Sequence, residues 1–269
     1  MAEARRVDEE AEVREAARLL DHDRYLAALL APRHARDDLL LIAAFHGEIA
    51  RVPASVREPT IGAIRLQWWR DLIDGGNADD ATGSPVADRL CRAIAGGRVS
   101  AGEATSIIDA YEELLHPAAL THPGAVEAFC DAGQGAAFRL AAGVLGCANE
   151  HAAAVINAAA QSYGRVQLLR TLPILLSKGH DPFGSGAHVD WAQIASPLLA
   201  EARASLAEAL RLAPLSSATM LQAILPVALV EPYLRALQGL GSKIAFEQAT
   251  ISPLSRVWRI WFAKRRGRF

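Results

Sequence analysis

The sequence of 269 residues predicts an all-α protein with a single domain, in which long helices pack around a central cavity. Hydrophobic residues make up 51% of the chain and aromatic residues only 6%, with alanine and leucine dominant, which is a helical composition. No stretch alternates polar and apolar residues as a strand does. Apolar residues recur at helical spacing instead, in segments separated by glycine and proline.

Capping residues and helix breakers divide the first half of the chain into six helices. Pro53 should end the third helix, because proline lacks an N–H and restricts the residue before it. Pro59 suits the first turn of the fourth helix, and Ser100 with Glu103 forms a capping box that opens the sixth. The predicted ranges are 9–20, 23–30, 33–51, 59–75, 84–95 and 100–116.

Five further helices follow in the second half. Asn149 and Asp190 are suited to cap two of them, since a side-chain oxygen at that position accepts a free backbone N–H, and Ser217 opens another. Residues 179–188 form a loop between them. The predicted ranges are 124–145, 149–177, 190–212, 217–240 and 253–265.

Charge and cysteine content limit the classes of partner and the compartment. A net charge of −2 argues against general nucleic-acid binding. Three cysteines without CxxC spacing favour a reducing compartment over a disulfide framework or a zinc site. Residues 1–15 are rich in acids and have no apolar core, so they predict neither a secretory signal nor a basic transit peptide. The uncharged stretch 212–230 is nearly long enough to span a membrane. Because it contains proline and hydroxyl residues, we expect a loop and a buried helix there and no transmembrane segment.

Residues 252–269 are predicted to form a basic, aromatic helix at the carboxyl end. The last fourteen residues contain six bases and no acid, interleaved with tryptophan and phenylalanine. This combination suits the interface of an anionic membrane, where aromatic rings are buried and bases meet headgroups. In the alternative, the aromatic residues dock on the domain and the bases are solvated. The candidate membrane-facing residues are Trp258, Trp261, Phe262, Lys264, Arg265 and Arg266.

Several segments together resemble the squalene/phytoene synthase family over most of the chain. They include Asp23-Arg24-Tyr25-Leu26, Ala43-Ala44-Phe45, Arg65-Leu66-Gln67-Trp68-Trp69-Arg70 and Phe129-Cys130-Asp131-Ala132-Gly133. The resemblance implies the helical bundle of the isoprenoid synthases, with residues 1–269 forming one domain around the central cavity.

The acid clusters of that family are missing from this chain. The resemblance implies two Asp-rich motifs on facing helices, which hold magnesium and an allylic diphosphate. The corresponding positions are occupied by Ala50, Arg51 and Ala54 and, on the second helix, by Thr171 and Leu175. Mg²⁺ requires several oxygen ligands, and Glu48 is the single deep acid of these two helices. Gly47 also stands where the family commonly has an arginine. The sequence therefore predicts a pseudoenzyme without a cofactor, with Mg²⁺ involved only if catalysis is retained.

Arginine, glutamine and aromatic residues remain on the helices around the predicted cavity. An arginine-lined pocket can hold a phosphate or carboxylate without metal, although each arginine can equally face solvent or pair with a local acid. Asp23 and Arg24 have the alternative of an exposed charge pair, and Trp68 either packs in the core or grips an isoprenoid tail. The candidate cavity or anion-binding residues are Arg24, Tyr25, Glu48, Arg51, Arg65, Gln67, Trp68, Arg139, Arg165, Gln167 and Arg170.

Segments 45–52, 55–62 and 164–167 resemble the branch of the family with degenerate motifs, which includes assembly factors of mitochondrial complex I. That resemblance implies a non-catalytic assembly helper or lipid-binding factor for a respiratory membrane complex. Its partners would be complex subunits or a prenyl or anionic lipid. It would act at the inner face of the cytoplasmic membrane, or on the matrix side in an organelle. The alternative is a prenyltransferase of the farnesyl/geranylgeranyl diphosphate synthase-fold class, which joins two prenyl diphosphates head to head with Mg²⁺ in terpenoid biosynthesis.

Overall fold

The computed structural model describes residues 2–75, 81–147, 149–186, 189–213 and 217–268, and their side chains except those of residues 2–7 and 151. Within these ranges every regular element is a helix, which confirms the predicted all-α fold. The α-helices of the first half are α1 (Ala2–Leu20), α2 (His22–Leu29), α3 (Arg33–Ser55), α4 (Pro59–Gly75), α5 (Pro85–Ala95), α6 (Ala101–Glu113) and α7 (Ala125–Cys130). Those of the second half are α8 (Ala136–Val144), α9 (Glu150–Lys178), α10 (Trp191–Leu212), α11 (Ala218–Ala223), α12 (Val230–Leu240) and α13 (Pro253–Arg266).

The predicted helix caps are formed. The Asn149 side chain accepts from the Ala152 N–H at 2.8 Å, and Asp190 accepts from Ala192 at 3.0 Å. Ser217 opens α11 in the same way. The capping box of α6 forms only in one direction: Ser100 accepts from the Glu103 N–H, while the Glu103 carboxylate accepts from Arg139 instead.

Helix α1 begins at Ala2 rather than at residue 9, and three further helix predictions are wrong for local reasons. Helix α3 continues past Pro53 to Ser55, because a proline one turn from the end removes few bonds and its ring is buried in the core. The predicted helix 124–145 is interrupted by a π-helical turn at Asp131–Gly135. The predicted helix 217–240 is interrupted by a 3₁₀ turn at Leu225–Leu229, whose first turn contains Pro226.

The core is a continuous apolar cluster that extends from α1 to α13. Helix α9 packs along α10 and against α3, α7 and the π turn, while α1 and α2 pack on α3. The approach of α9 to α7 depends on Gly164, where a Cβ atom would lie 2.6 Å from the Cys130 Sγ. None of the described helices is both long and apolar enough to cross a bilayer.

Candidate functional site

A cavity of about 330 Å³ opens between the α1–α2 junction, α3, α6 and α9, with Arg256 of α13 at its edge. Ala50 of α3 and Thr171 of α9 both line it, so the two helices face each other there as the sequence predicted. Most of the remaining lining is polar, and its side chains form two hydrogen-bonded networks, one around Asp21 and one around Asp23.

The Asp21 network is a closed ring of five side chains. Arg24 donates to Asp21 at 2.9 Å and to the Gln134 Oε1 at 2.7 Å. Gln134 donates to the Tyr111 hydroxyl at 3.0 Å, which donates in turn to the His46 Nε2 at 3.1 Å. His46 closes the ring with its Nδ1–H, 2.8 Å from the Asp21 Oδ2. Since a carboxylate can only accept, Nδ1 carries the proton and Nε2 is the acceptor, within reach of both the Tyr111 hydroxyl and the Gln134 amide.

Burial and charge determine the protonation states of this ring. Burial alone would raise the pKa of Asp21. The Arg24 charge and the hydrogen bonds from His46 and the Arg24 N–H outweigh it and hold that pKa well below its usual range. Burial and the nearby Arg24 charge lower the pKa of His46, although Asp21 acts in the opposite direction. At neutral pH the ring therefore contains an ionised Asp21, a charged Arg24 and a neutral imidazole.

The second network surrounds Asp23, which is buried. The hydroxyls of Tyr163 and Tyr233 donate to its carboxylate at 3.0 and 3.1 Å, and the Gln167 amide donates at 3.3 Å. Burial raises the pKa of both tyrosines, and the Asp23 charge adds to this effect, so both hydroxyls keep their protons.

Two arginines complete the second network. The Arg256 Nε lies 3.1 Å from the Asp23 Oδ1, and the Arg170 Nη1 lies 3.9 Å from the Oδ2. Arg170 is fixed by the Ala249 carbonyl at 3.1 Å, and its guanidinium lies 3.8 Å from the centre of the Tyr233 ring. The Arg256 Nε is buried and, among the described residues, has no acceptor in hydrogen-bond geometry.

The charged lining of the cavity carries an excess of positive charge. Arg24, Arg170 and Arg256 face Asp21 and Asp23, and His46 is neutral. Three guanidinium groups against two carboxylates leave one positive charge uncompensated within the lining. Such a site is suited to an anion with phosphate or carboxylate chemistry.

The side chains present do not fit the magnesium cluster of the family. Ala50 and Thr171 occupy the motif positions at the cavity wall, and the Thr171 hydroxyl donates to the Gln167 carbonyl at 2.9 Å. Asp21 and Asp23 already accept from arginine, histidine and tyrosine, so neither offers a free carboxylate. In the described part of the chain, no group of three or more His, Cys, Asp or Glu side chains has the arrangement of a metal site.

The cavity contains three of the eleven predicted candidates, Arg24, Gln167 and Arg170. Tyr25, Glu48 and Arg51 are outside its lining: Tyr25 stacks on His22, and Arg51 is exposed. Tyr25 and Arg51 each follow a lining residue, Arg24 and Ala50, and successive residues on a helix point about 100° apart. The alternative of an exposed Asp23–Arg24 pair is wrong, since both side chains are buried.

Three other candidates lie on the outward face of α4. Helix α4 buries Gly62, Leu66 and Trp69, which places Arg65, Gln67 and Trp68 on its exposed side. Trp69 packs in the core against Phe45 while Trp68 is exposed.

Arg139 and Arg165 form ion pairs away from the cavity. Arg139 pairs with Glu103 and Asp131 at 2.9 and 2.7 Å. The buried Arg165 pairs with Glu127 and Glu201 at 2.8 and 2.9 Å on the face of α9 opposite Tyr163.

Besides Asp23, seven side chains of the lining and its second network were not among the predicted candidates. They are Asp21, His46, Tyr111, Gln134, Tyr163, Tyr233 and Arg256. A signal was available for one of them, because Tyr163 precedes Gln167 by four residues and Thr171 by eight on a long helix. That spacing puts all three on the same face of α9.

Helix α13 has three distinct faces. Arg256, Ile260 and Ala263 point inward, with Ile260 and Ala263 buried. Leu254, Val257, Trp258 and Trp261 form an exposed apolar face, with Leu254 79% and Trp258 58% exposed. The third face carries bases.

The predicted membrane-facing residues are distributed over these faces. Trp258, Trp261, Arg265 and Arg266 are exposed, whereas Phe262 and Lys264 are half-buried. The guanidinium groups of Arg265 and Arg266 lie over the rings of Trp261 and Phe262, at 5.6 and 3.8 Å from the ring centres. Arg256, one of the six bases of the tail, faces the cavity instead.

Comparison with known proteins identifies the relatives of this chain. Residues 17–180 match the family model described as squalene/phytoene synthase. Complex I assembly factor 6 from Bos taurus is 30% identical over 159 residues, and its Homo sapiens counterpart is 29% identical. Each alignment covers 59% of this chain and 48% of the relative, so the chain spans about half the length of the curated relatives it matches.

Two solved structures share the fold at low sequence identity. Squalene synthase HpnC from Alicyclobacillus acidocaldarius superposes with a TM-score of 0.67 at 16% identity, covering 87% of this chain and 94% of that one. A dehydrosqualene synthase in complex with ligand gives a TM-score of 0.72 at 13% identity, covering 96% of both chains. From its matched residues, its helices and its cavity, the chain belongs to the squalene/phytoene synthase family.

Proposed function

We propose that this protein is a non-catalytic assembly helper for a membrane-bound respiratory complex. The observation that carries the proposal is its similarity over 159 residues to proteins named as complex I assembly factor 6. The cavity supports it as well, since alanine and threonine occupy the acid positions of the family at the wall. The similarity spans about half the length of those relatives, so we infer a shared role and do not transfer their whole function.

The alternative is Mg²⁺-dependent, head-to-head condensation of two prenyl diphosphates. Ionising an allylic diphosphate requires metal ligands on both sides of the cavity. Asp21 and Asp23 are the carboxylates that line it, and both are committed to the two networks. We therefore expect no such reaction.

Two measurements separate these functions. Disruption of the gene should lower the amount of assembled complex I on native gels and the membrane NADH dehydrogenase activity, and the wild-type gene should restore both. Purified protein with Mg²⁺ and labelled farnesyl or geranylgeranyl diphosphate should yield no condensed product above a heat-killed control. Normal complex I in the disrupted strain would refute the helper role, and condensed product would establish the enzyme.

A second candidate function is metal-free binding of an anionic lipid headgroup in the cavity. The uncompensated positive charge of the lining favours it. With a chelator present, a prenyl monophosphate should raise the melting temperature of the wild type. Arg170→Gln should abolish that rise, and Arg139→Gln should preserve it, because Arg139 is paired outside the cavity. An equal rise in both variants would exclude the cavity as the site.

We also propose that the protein attaches peripherally to an anionic membrane through α13. Its location would be the inner face of the cytoplasmic membrane, or the matrix side in an organelle. The exposed face formed by Leu254, Val257, Trp258 and Trp261 supplies apolar area. Bases close to an anionic surface each add roughly 1 kcal/mol of attraction.

Point variants test this attachment better than truncation, because removing α13 would also remove Arg256 from Asp23. Trp258→Ser with Trp261→Ser should release the protein from vesicles of phosphatidylcholine and phosphatidylglycerol. Trp68→Ser, an exposed tryptophan on α4, should leave binding unchanged. Full binding by the double variant would show that α13 does not attach the protein.

A further inference from the structure

A basic groove runs along α13 beside its exposed apolar face. Its helical wall is formed by Ser255, Arg259, Phe262 and Arg266, with Arg268 just beyond the helix. Ala228 of the 3₁₀ turn at Leu225–Leu229 forms the opposite wall, and the groove encloses about 380 Å³. Residues 255, 259, 262 and 266 are four, seven and eleven positions apart, so they lie on one side of the helix.

Among the described residues, no acid neutralises the positive charge of the groove. Arg259, Arg266 and Arg268 line it, and α13 contains no acid. Across the described residues, the three guanidinium groups have no carboxylate within ion-pair distance. This differs from Arg139, Arg165 and Arg256, which all have carboxylate partners.

One arginine of the groove is already held in place. The Arg266 guanidinium stacks on the Phe262 ring, 3.8 Å from its centre. A guanidinium that stacks by its face keeps the N–H groups at its edge free to donate to a phosphate in bidentate geometry. The Arg266 side chain is therefore partly ordered in the free protein, so it loses less conformational entropy when a ligand binds.

Trp258 connects the groove to the apolar face, since it belongs to both. When an amphipathic helix lies in the interface plane, its apolar face is buried at the boundary between headgroups and acyl chains. With Trp258 and Trp261 buried there, the neighbouring basic face is at the depth of the headgroup phosphates.

We infer that the basic groove binds the phosphate of one anionic phospholipid headgroup, with Arg259 and Arg266 as its main donors. This inference rests on the proposed attachment of α13 to a membrane. It differs from diffuse attraction, because two particular bases contribute more than other bases of the same helix.

The test compares two variants of equal charge in the full-length protein. R259Q/R266Q removes two bases from the groove, and K264Q/R265Q removes two bases of the same helix that do not line it. Binding is measured by co-sedimentation with vesicles of phosphatidylcholine and phosphatidylglycerol at one ionic strength. If attraction is diffuse, each base raises the affinity for vesicles about fivefold. Both variants should then lose affinity equally, on the order of 25-fold. A headgroup site predicts a loss at least tenfold larger for R259Q/R266Q.

A charge-conserving variant separates charge from geometry. R259K/R266K keeps both positive charges but loses the planar fork, so it should bind the same vesicles about tenfold more weakly than wild type. R235K, at an exposed arginine of α12 that pairs with Glu231, should bind as wild type does, and unchanged unfolding midpoints would show that the variants are folded. Equal losses in the charge-removing pairs, or full binding by R259K/R266K, would overturn the groove while membrane attachment stands. No binding by the wild type would overturn both.

Discussion

Replacing Asp23 with asparagine should destabilise the protein strongly. The substitution keeps the shape of the side chain but removes the negative charge that faces Arg170 and Arg256. The exposed fraction of these side chains is 6% for Asp23, 14% for Arg170 and 18% for Arg256, so solvent screens their interaction little. The second network would then hold two buried positive charges without a counter-charge.

The expected magnitude follows from this burial. Removing one partner of a buried ion pair costs about 3–5 kcal/mol. We expect the lower end, about 3 kcal/mol, because the asparagine oxygen still accepts from Tyr163 or Tyr233. For a protein of this size that corresponds to a fall in melting temperature of roughly 6–12 °C.

The free energy of unfolding is measured by urea titration followed by circular dichroism. Equal m-values in wild type and variants would show that the same unfolding transition is compared. Arg256→Met and the double variant complete a cycle. Because the two residues are in contact, the double loss should fall short of the sum of the single losses by about 1–3 kcal/mol. Arg259→Met, on the same helix but without a carboxylate partner among the described residues, should change stability by less than about 0.5 kcal/mol. A loss below about 1 kcal/mol for Asp23→Asn, or strict additivity, would refute the assignment of Asp23 as the counter-charge.

Two further predictions concern the ring and the packing of α9. The lowered pKa of His46 gives stability that is present above the unfolded pKa of about 6.5 and lost as pH falls towards the folded pKa, with a slope of up to about 1.4 kcal/mol per pH unit. Stability measured between neutral pH and pH 5 should therefore decline more steeply in wild type than in His46→Gln, and parallel profiles would contradict the lowered pKa. Gly164→Ala should cost about 1–3 kcal/mol in urea unfolding, because the new Cβ would lie 2.6 Å from the Cys130 Sγ. Gly143→Ala, in a helix with nothing within 4 Å of the new Cβ, should instead stabilise by about 0.5–1 kcal/mol, and the same sign for both would count against the packing argument.

Local signals predicted most of the helices but missed features that depend on tertiary contact. Asn149, Asp190 and Ser217 cap helices by bonds to residues two or three positions away, and such bonds can be predicted from adjacent residues. The π turn at Asp131–Gly135 has no comparable signal. There a Cβ on Gly135 would lie 2.7 Å from the Asp131 side chain, a constraint that becomes visible only in the fold.

The site divides in the same way. The resemblance to the family predicted that Ala50 and Thr171 lie at the cavity. Corresponding positions in proteins of the same fold keep the same neighbours, so these two residues face each other. The partners of Asp23 were not predictable, since Tyr163 and Tyr233 follow it by 140 and 210 residues. Charged neighbours such as Asp23 and Arg24 are usually exposed, and only tertiary burial reverses that expectation.

Gly47 shows how closely the junction of α1 and α2 packs against α3. A Cβ at this position would lie 2.5 Å from the Leu20 Cβ and 3.0 Å from the Leu20 carbonyl carbon, neither of which is the end of a flexible chain. The junction of α1 and α2 thus occupies the space that a larger residue on α3 would need, and Asp21 of the closed ring is part of that junction. An arginine at position 47 would therefore force the backbone of α3 and of the junction apart. A single substitution at this position would disrupt the fold around the Asp21 ring, so a larger residue here would require compensating changes in the junction itself.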